Sequence, residues 1–192
     1  MIATPYSGGF AMQRRQFLFS GLAAAAATTM SSVPAYAQAS PPKVANGIVG
    51  GRGITINYYS PSMRGRKIYG ELVPYGQVWC PGANWATSIT SLDAGLEIGS
   101  MKLGWGSYAI WVLPNEKEWQ AIINSDAKAF HLDHEPDKDL GRIKMNLKML
   151  EQPVESLTFE IRSDGGNKGT VALLWEKTEA TFPFSVAPKA AG

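Results

Sequence analysis

The chain has 192 residues, with 18 lysines and arginines against 16 aspartates and glutamates, two histidines and one cysteine. A formal charge of +2 gives no electrostatic drive toward nucleic acid or anionic lipid, and a single cysteine, Cys80, excludes an internal disulfide. This length suits one domain with a substantial core.

Residues 1–37 read as an export signal and not as part of the fold. Arg14 and Arg15 stand just ahead of Gln16-Phe17-Leu18-Phe19 and an alanine-rich apolar stretch, and Ala35-Tyr36-Ala37 supplies the small-x-small pattern of a signal-peptidase site. Arg-Arg-x-Phe-Leu is the twin-arginine form of such a signal. The apolar stretch is too short and too diluted by Ala, Thr and Ser for an anchor, which needs about 20 mostly apolar residues. Cleavage is expected after Ala37, with Ala39 the near alternative, and Met12 is an alternative start to Met1. The partners implied are the twin-arginine export machinery and a signal peptidase, and the location is periplasmic or secreted. Removing Arg14 and Arg15 from the 18 basic residues balances them against the 16 acidic ones, and no later stretch is apolar enough to span a bilayer. The mature form is expected to have no nucleic-acid partner and no membrane association.

Residues 38–50, opening QASPPKVANG, read as a flexible lead-in. A β domain follows over 51–186, with 187–192 a C-terminal tail. Ile54 and Ile56 alternate with Thr55 and Asn57, the period-two signature of a half-buried strand. Ile98-Gly99-Ser100-Met101 reads as a tight hairpin. Tyr108-Ala109-Ile110-Trp111-Val112-Leu113 is apolar on both faces, which places it mid-sheet or under a covering loop. Residues 125–139 are polar and irregular, a long loop with at most one helical turn. Ile143, Met145, Leu147 and Met149 alternate with polar residues, predicting one inward face, and Leu157, Phe159 and Ile161 repeat the pattern. Asp164-Gly165-Gly166-Asn167 predicts a hairpin into Val171–Trp175. No window after the leader carries a helical stripe. The fold class is all-β: a single antiparallel β-sandwich or jelly roll of about eight strands.

An ordered series of short motifs runs through this domain: Ser60-Pro61, Gly65-Arg66-Lys67-Ile68-Tyr69-Gly70, Leu72-Val73-Pro74-Tyr75-Gly76, Val78-Trp79 and Gly82-Ala83-Asn84 with Ala86-Thr87. Gly106-x-Tyr108, Pro114, Glu118-Trp119, Ile123-Asn124 and Trp175-Glu176-Lys177 continue it. The series resembles an exported bacterial family catalogued as domain of unknown function 2911, over roughly residues 51–186. The resemblance implies a periplasmic or surface β domain and brings no established activity. In that family Val-Trp is usually followed by Arg, and Glu often stands between Asn and Ala-Thr. Here those positions hold Cys80 and Trp85, and Leu103-Gly104-Trp105-Gly106 replaces the usual Leu-Pro-Ala-Gly.

The run VPYGQVWCPGANWATSIT, residues 73–90, gathers turn-makers and rings. Its structural reading has Pro74, Gly76, Pro81 and Gly82 bending the chain while Val78, Trp79 and Trp85 anchor it, with Asn84 and Thr87 satisfying loop backbone. Its functional reading makes the run one wall of a pocket for a small molecule or sugar. Asn84 and Thr87 would supply hydrogen bonds, Tyr75, Trp85 and Trp105 apolar faces, and Arg66 with Lys67 a grip on carboxylate or phosphate. Arg66 pairing with a buried acid to staple two loops is the alternative. Cys80 reads as a packed apolar residue.

No cofactor is predicted. His131 and His134, three apart among carboxylates, carry an alternative reading as ligands of a divalent metal in a hydrolytic enzyme. A third reading is an envelope interaction module using the doubly apolar strand around Trp111. The mature chain has no Gly-x-Ser-x-Gly and no phosphate-cradling glycine loop, so nucleophilic catalysis finds little support, while paired carboxylates for glycoside hydrolysis stay open because their spacing belongs to the fold. A binding module is the expected class.

Overall fold

The computed structural model describes residues 40–187. The leader residues Arg14, Arg15, Ala35 and Ala37, and the tail beyond 187, lie outside the described residues. Nine strands follow in chain order: β1 (Pro42–Val49), β2 (Arg52–Tyr59), β3 (Ser88–Ser91), β4 (Leu96–Ile98), β5 (Met101–Leu103), β6 (Gly106–Leu113), β7 (Trp119–Asn124), β8 (Asp139–Gly165) and β9 (Lys168–Val186). They form an antiparallel sheet ordered β1-β2-β3-β6-β7-β8-β9-β4-β5. The class is all-β, with nine strands among the described residues where the pattern suggests about eight. A single 3₁₀ turn, Pro136–Lys138, interrupts the 125–138 loop. No helix among the described residues is long and apolar enough to cross a membrane.

The lead-in expectation needs correction. Residues 42–49 form β1, paired with β2 from Pro42↔Tyr59 to Val49↔Arg52. The turn between them is Gly50-Gly51, both at positive φ (57° and 75°), as a tight two-residue hairpin demands. The hairpins at 98–101 and 164–167 form as expected: Ile98 pairs with Met101 across Gly99 at φ 60°, and Gly165 pairs with Lys168.

β8 is long because it serves two neighbours in turn. Asp139–Met145 pairs with β7, and Asn146–Gly165 pairs with β9 through register shifts near Val154 and Ser163. A strand that changes partner with bulges turns the sheet's direction. The chain leaving β2 then lies along β8: Leu157 N–H donates to Pro61 O (2.9 Å) and Met63 N–H to Glu155 O (2.8 Å). The sheet therefore curls back on itself and encloses one apolar cluster. Ile54 and Ile56 of β2, Ile110 and Val112 of β6, Leu157 and Phe159 of β8, and Trp175 and Phe182 of β9 all belong to it. Burying each such side chain is worth about 1.5–3 kcal/mol.

The two-faced strand at 108–113 is β6, seated between β3 and β7. Ile110 and Val112 face the main core, while Ala109 and Trp111 meet Cys80, Ala86 and Ile122 in a second cluster beneath the loops. Mid-sheet position and loop cover both apply. The inward face expected over 143–149 holds only in part. Met145 is buried, but Leu147 is exposed and Met149 is 82% exposed, because β8 has outrun β7 by then.

Candidate functional site

The segment from Ser60 to Thr87 lays turns over the end of the curled sheet. Trp79 is fixed at both backbone groups, donating to Val112 O (2.8 Å) and accepting from Val112 N–H (2.9 Å). Its ring stacks on the buried Trp175 with centroids 5.9 Å apart and planes 15° from parallel, and it meets the edge of Tyr69 at 6.3 Å. Tyr69 also packs edge-on against Trp119 at 4.5 Å. The Tyr69 hydroxyl is buried without a partner among the described residues. Burial, reinforced by the Glu176 charge, holds its ionisation far above the ordinary tyrosine value, so it stays protonated. Glu176 sits at φ 54°, an unusual conformation for glutamate, where β9 shifts register.

Beside the stacked rings opens a cleft of about 450 Å³, lined by Ser62, Arg64, Arg66, Trp79, His131 and Trp175. Leu72 and Leu132 add apolar wall. The Arg66 guanidinium is held by its own loop, Nε donating to Met63 O (2.9 Å) and Nη2 to Ser62 O (2.8 Å). That loop is fastened to β8 by Arg64 N–H on Glu155 Oε1 (2.9 Å). Its fork is positioned by carbonyls of its own loop, not by the buried acid of the stapling alternative. His131 reaches the same cleft from the opposite loop. Partial burial lowers its pKa below the usual histidine value, and Asp133 raises it in part, so the ring is neutral near pH 7.

The 125–138 loop is anchored through Asn124, a buried residue at the end of β7. Its amide donates to Asp139 Oδ1 (2.9 Å) and Glu135 O (3.0 Å), and its Oδ1 accepts from Asp126 N–H (2.8 Å). The same Asp139 oxygen lies 2.8 Å from His134 Nε2, whose ring tilts against Trp111 at 4.9 Å. Lys138 adds ion pairs to Asp126 (2.7 Å) and Glu135 (3.1 Å). His134 is thus engaged in holding the loop, while His131 faces the cleft. Among the described residues, no three His, Cys, Asp or Glu side chains group as a metal ion would need.

The other sequence candidates scatter around this cleft. Asn84 adopts φ 62°, which asparagine tolerates, and contributes its carbonyl to His131 N–H (2.9 Å). Thr87 is fully buried and donates to Pro81 O (2.8 Å), the loop-stabilising role. Lys67 pairs with Glu71 at 3.5 Å on the surface. Tyr75 is partly exposed near Gly70, whose added Cβ would stand 3.0 Å from its ring. Trp105 is 73% exposed in the β5–β6 turn and lines neither cleft described here. Trp85, 56% exposed, lines a second cleft of about 270 Å³ with Val44, Asn57, Tyr59 and Ser88. Cys80 is buried and its thiol is pushed up to about 11, which makes it unreactive. Trp175 and Ser62 were not legible as site residues, although Trp175-Glu176 stood in the motif series.

The fold and cleft define an all-β domain with a cationic, aromatic-floored recess. The chain belongs to the family described as protein of unknown function DUF2911, whose model matches residues 40–184. No curated protein and no solved structure matches it.

Proposed function

We propose that this chain is an exported binding module whose ligand is a small anion with a flat or apolar portion, held between Arg66 and Trp79. Export rests on the Arg14-Arg15 leader with its Ala35–Ala37 cleavage pattern. The observation that carries the binding reading is pre-assembly: a carbonyl-held guanidinium and a stacked, backbone-fixed indole line one cleft. Groups already locked lose little rotamer freedom on binding, so more of their contact energy becomes affinity. Ser62, one of two serines lining the cleft with Ser40, bonds Ser156 at 2.8 Å and not a histidine, which favours binding over turnover at that hydroxyl.

Fluorescence and calorimetric titration with benzoate, 2-naphthoate and phenyl phosphate tests this. The wild type should bind at least one of them, and Arg66→Gln should weaken that binding about tenfold or more, since a charge-assisted hydrogen bond is worth about 1.5–3 kcal/mol. Equal binding by Arg66→Gln, or none by the wild type, ends the proposal. A second reading, an envelope interaction module, has one observation in its favour, the exposed Leu147 and Met149 on overhanging β8. It predicts self- or partner association that Met149→Asp removes.

A further inference from the structure

The second cleft lies against the first, with a narrow ridge between them. The ridge is built by the meeting of two loops: Asn84 O accepts from His131 N–H (2.9 Å), Trp85 bridges Phe130, and Ala86 N–H donates to Ala129 O (2.9 Å). On one side stand Gly82 and His131, on the other Trp85, Ala86 and Ala127. Below the ridge the same two chain segments floor both recesses. Ser40 and Pro61 line the first and Pro42 and Tyr59 the second, joined where Ser60 N–H donates to Pro41 O (2.9 Å). Two residues of extended chain, about 7 Å, separate the two linings.

The chemistry of the second lining differs from the first. Register places Asn57 directly opposite Ser88 on β3 and Val44 on β1, so these side chains share the sheet's outer face. That row is mixed, the exposed Val44 beside two polar residues, while the next row on that face is uncharged and polar, with Thr55 bonded to Asn46 (3.1 Å) and Thr90 to Ser107 (2.8 Å). Over this amide and hydroxyl surface stands Trp85. Its ring is braced edge-on by Phe130 at 6.3 Å and 90°, yet more than half exposed. The core gains little from such an indole. A pyranose fits it: its C–H face packs on the negative π-face, and its hydroxyl rim meets amide and hydroxyl partners. Lys43 adds a cation to the lining.

We infer that the two clefts are adjacent subsites for one acidic saccharide, with a sugar ring on Trp85 and its carboxylate or phosphate at Arg66. This rests on the anion-binding reading and names the class of ligand. The test titrates wild type, Trp85→Ala, Trp85→Phe and Arg66→Gln with oligogalacturonates, oligoglucuronates and mannose-phosphate oligosaccharides, each beside its neutral parent. Trp85→Ala should weaken the acidic saccharides about tenfold or more, Trp85→Phe should recover part of the loss, and neutral parents should bind more weakly than their acids. Small aryl anions should bind Trp85→Ala as they bind wild type. If Trp85→Ala holds acidic saccharides unchanged while aryl anions still depend on Arg66, this inference falls and the anion reading stands. Neutral parents binding as tightly as acids would separate the subsites and overturn it too. If no anion of either kind binds, both fail.

Discussion

Replacing Asn124 by Ala would remove three hydrogen bonds at one stroke. Its amide serves Asp139 and Glu135 O, and its carbonyl oxygen serves Asp126 N–H, all at 2.8–3.0 Å from a residue only 1% exposed. At about 1 kcal/mol per bond, with somewhat more for the bond to a carboxylate, the expected loss is about 3–4 kcal/mol. For a domain of this size that corresponds to a melting temperature lower by roughly 6–16 °C. Urea unfolding and calorimetry of wild type and Asn124→Ala give the number directly. Because Asp139 Oδ1 is shared between Asn124 and His134, a double-mutant cycle with His134→Ala should be non-additive by at least about 0.5 kcal/mol. A melting shift under 2 °C, or strict additivity, would show that Asn124 does not anchor the 125–138 loop.

Further outcomes follow from close contacts and titration. Gly47→Ala should cost about 1–3 kcal/mol by overpacking, since an added Cβ would press on Ile161, 2.7 Å from its Cβ. Gly53→Ala, with open space around it, should leave denaturant stability unchanged or slightly raised. His131, whose pKa lies below its ordinary 6.5, takes up its proton only as pH falls through a window beneath that value. An anion in the cleft favours the protonated ring, so anion affinity should rise as pH falls through that window. Stability should run the other way, present in full above pH 6.5 and partly lost below it, because the unfolded chain is protonated first. Titration of affinity from pH 8 to 5 checks this. An identical pH profile in His131→Gln would remove His131 from the site.

The elements legible in the sequence were those with a local cause. Gly99, Gly165 and Gly166 have positive φ in the structure, and glycine in such turns announces itself. β1 was illegible because Val44 and Ile48 are exposed, so PKVANGIV lacks alternation, and its strand form is imposed by pairing with β2. Leu147 and Met149 misled for the opposite reason: they alternate correctly, but nothing in the chain records that β7 starts only at Trp119, opposite Met145, and leaves them uncovered. At the site, Arg66 and Trp85 could be named from residue type and turn context. Their assignment to separate clefts could not, because it depends on the Asn84–His131 junction between loops 47 residues apart in number. His131 and His134, neighbours in the chain, face different surroundings for the same reason.

β8 has a consequence for how fast a ligand could come and go. The loop bearing Arg66 is tied to Glu155 and Leu157 on this strand, and Trp79 is tied to Val112 on β6. The Arg66 and Trp79 walls of the first cleft are therefore joined to strands that also hold the core. Opening or closing them would disturb the sheet itself. On the proposed binding reading an anion meets these two walls already in place, so association should be a single concentration-dependent step, limited by diffusion and charge steering. Selectivity would then reside in how quickly the wrong molecule leaves.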